Sequence, residues 1–442
     1  MNAQLEQRQW FNDTVANNAV SLNGTDLSWL DHTREEARLA LHELALPDRK
    51  QEAWRYSDLG RLYQHDFRDG GTLVLPESDI PNWIYSADDS HRLLFANGHF
   101  IADLSTHHAL ADGVKIASLK DTLAADPGMP VEWLKTNTWQ KPDAFSELNR
   151  ASINDGLFIH IGANVMLDKP IEVVYLNTSP EHNALAQPHS LVLLEDGAQA
   201  TLIERYSGQP TARYFFNGFT SVSLGASARL QHYRLQQESG YAHHLSRIAL
   251  QQQSASDYHG VNIATGGAWN RTDIQARFEG QHAACNLDGL YTVGDSQYTD
   301  FHLDVIHGLP HCRSREDFKG IVYGKGRAVF DGRILVEKNA QKTDAQLSNR
   351  NLLLTPFAEV DTKPQLEIHA DDVKCSHGTT VGRLDPNQLF YLRSRGIDEH
   401  EARKMICLGF AEQVLAHVED EPVRACIHDQ IAGLFGREEA LL

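Results

Sequence analysis

From about Asp155 to Gly382 the chain carries no long stretch with the 3.6-residue apolar period of an amphipathic helix. It carries short apolar runs instead: Leu157-Phe158-Ile159-His160-Ile161, Ile171-Glu172-Val173-Val174-Tyr175-Leu176, Leu191-Val192-Leu193-Leu194, Ala200-Thr201-Leu202-Ile203, Ala228-Arg229-Leu230-Gln231-His232-Tyr233 and Arg333-Ile334-Leu335-Val336. Runs of this length bounded by Gly and Asp are the signal of β structure. Gly162-Ala163, Gly197-Ala198, Gly225-Ala226 and Gly324-Lys325-Gly326 punctuate them at intervals too irregular for a strict repeat. Two architectures meet these constraints. One is a β-sandwich or barrel assembly; the other is a parallel β-helix, in which stacked coils bury a continuous interior. Solenoids grow by adding coils, so a helix-free stretch this long favours one elongated β body.

The flanks read differently. Leu30, Ala37, Leu39, Leu41, Leu44 and Leu46 give a helical pattern between about Leu27 and Tyr63, interrupted at Pro47. A second helix-prone stretch, about 117–150, is broken by Pro127, Gly128, Pro130 and Pro142. At the far end Asp385-Pro386 starts a helix that Gly396 stops, Asp398 caps a second and Pro422 opens a third. The expected organisation is an N-terminal helical region (1–84), a β core (85–384, with a helical insertion at about 117–150) and a C-terminal helical domain (385–442). Met405, Phe410 and Val414 recur at helical spacing on the second of these last helices. Such a face ordinarily packs on the protein's own core; the other use is to dock a partner.

Composition narrows the function. Forty Lys and Arg against 59 Asp and Glu give −19, which repels nucleic-acid backbones and anionic membrane surfaces. No apolar run approaches the roughly 18 residues that span a bilayer. The segment MNAQLEQRQWFND has no apolar secretory core, so a cytoplasmic location is expected. The five cysteines are odd in number and widely spaced, without CxxC, which suits reduced thiols rather than a disulfide framework or a four-cysteine zinc site.

The densest chemistry is Asp371-Asp372-Val373-Lys374-Cys375-Ser376-His377-Gly378. On a strand Cys375 and His377 face the same side. Thiolate suits soft iron–sulfur chemistry and imidazole suits iron, but two ligands leave a site incomplete. A Cys–His nucleophilic pair and plain core packing are the other readings. His302, His307, His311 and Cys312 form a second group, expected to be structural on a strand and turn. Gly324-Lys325-Gly326 lacks the remainder of a P-loop, so no ATP site is recognisable.

Longer segments carry a resemblance. Leu366-Glu367-Ile368-His369-Ala370-Asp371-Asp372-Val373-Lys374-Cys375-Ser376-His377-Gly378, followed by Gln388-Leu389-Phe390-Tyr391-Leu392-Arg393-Ser394-Arg395-Gly396-Ile397, resembles the C-terminal signature of the SufB/SufD family of iron–sulfur cluster assembly proteins. Glu52-Ala53-Trp54-Arg55-Tyr56-Ser57-Asp58-Leu59 is similar to the family's N-terminal element. Leu148-Asn149-Arg150-Ala151 with Gly156, Pro170-Ile171, Phe330-Asp331-Gly332 and Thr343-Asp344-Ala345-Gln346 match it in order. Arg350 and Gly378 stand where the SufB branch has a cysteine and an acidic residue, which sets this chain apart from that branch.

The resemblance implies a right-handed parallel β-helix flanked by helical ends. It implies a non-catalytic scaffold that pairs with SufB and with the ATPase SufC, which would hydrolyse the nucleotide; in isolation a homodimer is possible. It implies no tightly bound cofactor in the chain alone, and a transient iron or iron–sulfur cluster shared with SufB, with His377 and Cys375 as candidate ligands. Met405, Phe410 and Val414 would then dock SufC, and truncation before Asp385 would abolish that binding while the β body stays folded. The alternatives are a carbohydrate-active β-helix enzyme and a purely structural partner.

Overall fold

A computed structural model describes residues 2–18, 22–71, 80, 82–106, 108–135, 142–178 and 183–436. Consecutive strands alternate between two parallel sheets, so each coil gives one strand to each. In one sheet Phe215 pairs with His243, His243 with Trp269, Trp269 with Tyr298, Tyr298 with Arg327 and Arg327 with Glu359. The coils therefore take 28, 26, 29, 29 and 32 residues, the differences between those positions. In the other sheet Arg229, Asp257, Ala284, Arg313, Asp344 and Lys374 stack in the same way. The architecture is a parallel β-helix of about eight coils with helices at both chain ends.

Alternate side chains on every strand point into the lumen and bury one continuous apolar core. Phe301, Phe318 and Phe330 touch ring to ring there at 5.2 Å. One corner repeats in each coil. Gly197, Ser227, Ala255, His282, His311 and Lys342 all take positive φ. Each donates its amide to a carbonyl at the next coil's corner, on Ala226, Ser254, Gln281, Pro310, Gln341 and Asp372 in turn. These ladders satisfy backbone groups that a turn would otherwise leave unpaired.

Helices cover the outer faces. Those of the N-terminal region, with the helix Ala144–Ala151, place Trp10, Phe11, Trp54 and Phe145 on Phe215, Leu245 and Trp269 of the first sheet. The helices Pro386–Ser394, Glu399–Leu415 and Glu421–Phe435 follow the last coil, capped by the Asp385, Asp398 and Asp420 side chains. The latter two cover Ile203, Tyr233, Val261, Leu290 and Ile321 of the second sheet. The stretch read as helix from residue 117 begins instead with a strand, Val114–Ser118. Ser118 then accepts the Asp121 amide and caps the helix Leu119–Ala125.

The two ends of the solenoid differ. At the start, Val114–Ser118 runs antiparallel to Leu157–Ile161, and His99–Phe100 antiparallel to His91–Ala96, so each sheet begins with a short strand of reversed direction. At the finish, Glu359–Ile368 and Lys374–Arg383 are outermost strands, each paired on one side alone, and neither contains a fully buried residue.

Candidate functional site

Cys375 and His377 lie on the outermost strand of the second sheet, beside Ala345 and Leu347 of the preceding coil. They stand two residues apart on one strand and so share a face. The Cys375 side packs on the lumen core, so this face overlooks the open mouth of the lumen. Cys375 is half-buried and His377 exposed. Burial, then the carboxylates Asp344 and Glu316, push the Cys375 thiol above its ordinary range. It therefore rests as a thiol and must lose its proton to take a metal.

No third ligand among the described residues joins them. Among the described residues, one group of His, Cys, Asp and Glu has ligand atoms within 4.8 Å of one another: Asp288, Asp317 and His417. This group is a charge-balanced latch between the second sheet and the C-terminal helices. Asp288 meets His259 at 2.8 Å, Arg315 at 2.9 Å and His417 at 3.0 Å. Arg350 binds both oxygens of Asp317, at 3.1 and 3.0 Å. Burial alone would raise the Asp288 carboxyl; the His259 hydrogen bond, Arg315 and His417 outweigh it and hold the group below the ordinary carboxylate range. A depressed carboxyl contributes stability above its unfolded pKa and loses it as pH falls through the folded value. Acidification is therefore expected to release the helices Glu399–Leu415 and Glu421–Phe435 before the β core opens. Hydrogen exchange followed as pH is lowered below the ordinary carboxylate range should show protection lost there before it is lost in the lumen strands, and equal protection of both regions would count against the latch.

The lumen holds two glutamates in opposite states. Glu204 is fully buried and well partnered. His232 reaches it at 2.9 Å, Arg234 at 3.2 Å and the Tyr206 hydroxyl at 2.9 Å. Against the burial penalty these partners hold its carboxyl at about 2. Glu316 is equally buried, yet neither of its oxygens completes a hydrogen bond. Burial pushes it up to about 8, against weaker opposite pulls from the Ser314 hydroxyl, its own amide and Arg315.

The second sequence cluster is dispersed. His302 faces outward and meets Asp300 at 2.9 Å. His307 is buried against the Ser314 hydroxyl at 3.0 Å, and burial pushes it down to about 3. His311 stacks on His282 at the corner with ring centroids 4.8 Å apart. The Cys312 thiol is buried and donates to the Gly280 carbonyl. Gly324-Lys325-Gly326 forms a corner between the strands Arg313–Val322 and Arg327–Val336.

The proposed docking residues divide. Met405 is 44% exposed, and Phe410 is half-buried with the Lys319 ammonium 4.7 Å from its ring centroid. Val414 is 0% exposed and packs on the second sheet, so it is removed from the docking set: the chain's own β body already covers it. Sequence reasoning placed Phe390 on an apolar helix without marking it as surface. The helix Pro386–Ser394 buries no residue, and Phe390 and Tyr391 are 74% and 58% exposed.

Comparison with known proteins places this geometry. The SufBD core domain of the SUF iron–sulfur cluster assembly system matches residues 175–410, and the SufBD N-terminal region matches residues 5–173. The chain belongs to the SufBD family. A SufBD family iron–sulfur cluster assembly protein of Synechocystis is 32% identical over 405 residues, covering 90% of this chain and 89% of the relative. The iron–sulfur cluster assembly protein SufD of Escherichia coli is 33% identical over 383 residues, 86% of this chain and 87% of the relative. SufD of Bacillus subtilis is 25% identical over 413 residues, covering 90% and 92%. SufBD membership gives this chain a role in iron–sulfur cluster assembly and sets aside the carbohydrate-active reading. Among the described residues no helix is long and apolar enough to cross a membrane.

Proposed function

We propose that the chain is a SufD-type, non-catalytic scaffold subunit that works in the cytoplasm with SufB and the ATPase SufC. The observation that carries this reading is the bare last coil. Two outermost strands of ten residues each have free backbone edges, and such edges are templates for another chain's strands. Cys375 and His377 sit at that edge with too few ligands of their own. A partner joined there, SufB in this reading, supplies the rest, and iron or the growing cluster is cargo held across the joint. Imidazole accepts iron as thiolate does, but with a different net charge, which suits a site that must give up its product. His377→Ala and Cys375→Ser are expected to leave the SufB complex intact and to lower cluster production in cells that depend on this system, more so for His377. Normal cluster yield from His377→Ala would leave a structural role as the better account.

SufC docks, in this reading, on the exposed side of the C-terminal helices. A few aromatic and Met anchors carry most of the energy of such contacts, and Phe390, Tyr391 and Met405 are the ones available. Replacing all three by Ser should abolish SufC co-purification with the circular dichroism unchanged; undiminished SufC recovery would refute this docking face.

A further inference from the structure

Glu316 is buried a single strand inside the bare end of the solenoid. It stands on the strand Arg313–Val322 and points into the lumen with Ser314 and Phe318. Leu287 of the preceding coil and Leu347 of the following one pair with it in register, and Leu347 pairs in turn with His377 on the outermost strand. One layer of side chains therefore separates a fully buried carboxyl from strands that contain no fully buried residue. That layer is thin. Ala345 contributes only a methyl group, and Leu347 crosses the lumen to close it: a Cβ at Gly332 of the first sheet would lie 2.6 Å from Leu347 Cδ1.

Among the described residues, those packed around Glu316 bring no positive charge into the lumen. Arg315, next in the chain, points to the outer face and meets Asp288. Cys285 on the preceding strand and Cys375 one strand beyond Leu347 are thiols that burial pushes above their ordinary range. His307 of the first sheet is held on the Ser314 hydroxyl and is pushed down to about 3, so its ring is neutral. Neither Glu316 oxygen has a hydrogen-bond partner among the described residues. The fold therefore encloses this group as the acid, and the carboxylate needs water. On its inner side stands the continuous apolar core, and on its outer side Leu347 and the bare coil. The cheapest opening that hydrates it is a local one at the end of the solenoid, because local opening sacrifices fewer contacts than unfolding of the whole.

We propose that the end of the solenoid is a pH-operated flap: protonated Glu316 lets it close, and loss of that proton to water opens the strands Asp344–Leu353 and Lys374–Arg383 while the deeper coils stay shut. The flap carries an edge that the proposed joint uses, but it is a property of the chain alone and is tested without a partner, so its failure leaves that joint standing. An exposed glutamate ionises at about 4.3 and the enclosed one at about 8. Opening therefore grows about tenfold per pH unit between those values and levels off above them. The test is hydrogen exchange of the full chain from pH 5 to pH 7.5, corrected for the intrinsic rate. In the wild type, protection of Asp344–Leu353 is expected to fall about tenfold per pH unit, while staying below that of Tyr214–Leu224 deep in the solenoid. In Glu316→Gln it is expected to stay level across the range. Thermal unfolding checks that this variant is folded, and Glu316→Met makes the same comparison if it is not. Equal slopes in wild type and variant overturn the proposal. So does protection of Asp344–Leu353 equal to that of Tyr214–Leu224, which would mean that the end opens only when the whole protein does.

Discussion

A chain ending at Leu384 is expected to aggregate rather than to survive as a folded β body. The helices beyond that point cover Ile203, Tyr233, Leu235, Val261, Ile263, Leu290, Ile321 and Leu352 on the outer face of the second sheet. Each such side chain gains roughly 1.5–3 kcal/mol from burial, so exposing the patch forfeits on the order of 10–20 kcal/mol. It also leaves a contiguous apolar surface of the kind that drives association. Strong binding of a hydrophobic dye and loss of monomer on size exclusion are the expected readouts. A monomeric, dye-silent truncation would show that the β core does not need this cover. The expectation from the sequence alone is that truncation spares the β body, and this experiment decides between the two, because the helices of the proposed docking face also make an internal contact. The three surface substitutions at Phe390, Tyr391 and Met405 therefore separate docking from folding, and truncation does not.

Glu316→Gln is expected to stabilise the protein, and the gain should grow with pH. An unfolded glutamate ionises near 4.3, whereas the folded group is pushed up to about 8. Between those values the native state holds a proton that the unfolded state has released, so native stability falls as pH rises through that window. Glutamine has nearly the same shape as the protonated acid and no proton to hold. The predicted gain is about 4 kcal/mol at pH 7.5, shrinking towards zero near pH 4. Glu204→Gln should do the opposite, because its carboxylate is the common acceptor for His232, Arg234 and Tyr206. Removing it strands a buried guanidinium, a loss of about 3–5 kcal/mol. Urea midpoints of the two variants across pH 4–8 provide the check. Parallel pH profiles for wild type and Glu316→Gln would mean that Glu316 is ionised in the folded chain.

Much of this architecture was legible in the residues, and the limits have physical causes. The runs at Leu157, Ile171, Leu191, Ala200, Ala228 and Arg333 all fall on strands, because alternating or continuous apolar runs have no better place than a sheet. Asp385, Asp398 and Pro422 marked helix starts correctly, since capping is local chemistry. The coil repeat itself was hidden. Its corner accepts Gly197, Ser227, Ala255, His282, His311 and Lys342 alike, because the hydrogen-bond ladder to the next coil, not the side chain, holds the backbone there. Coil lengths that vary from 26 to 32 residues blur the period further. At the candidate site, the shared face of Cys375 and His377 followed from strand pleating. The buried isolation of Glu316 did not, because a glutamate in the run Arg313-Ser314-Arg315-Glu316-Asp317 reads as surface charge. Neither did the latch at Asp288, whose partners His259 and His417 come from a neighbouring strand and from the turn between the last two helices.

The unequal ends of the solenoid limit what it can build. A β-helix with two raw edges would add copies at both ends and grow into a fibre, since each addition regenerates the surface it used. Here the first coil ends in short antiparallel strands of five and two residues, a template unlike the ten-residue parallel edges of the last coil. Two chains of this kind that join last coil to last coil use up the long edges of both, whether the second is a different protein or another copy. The product presents only the short first-coil edges, so the difference between the two ends of the sheets favours a pair over a fibre.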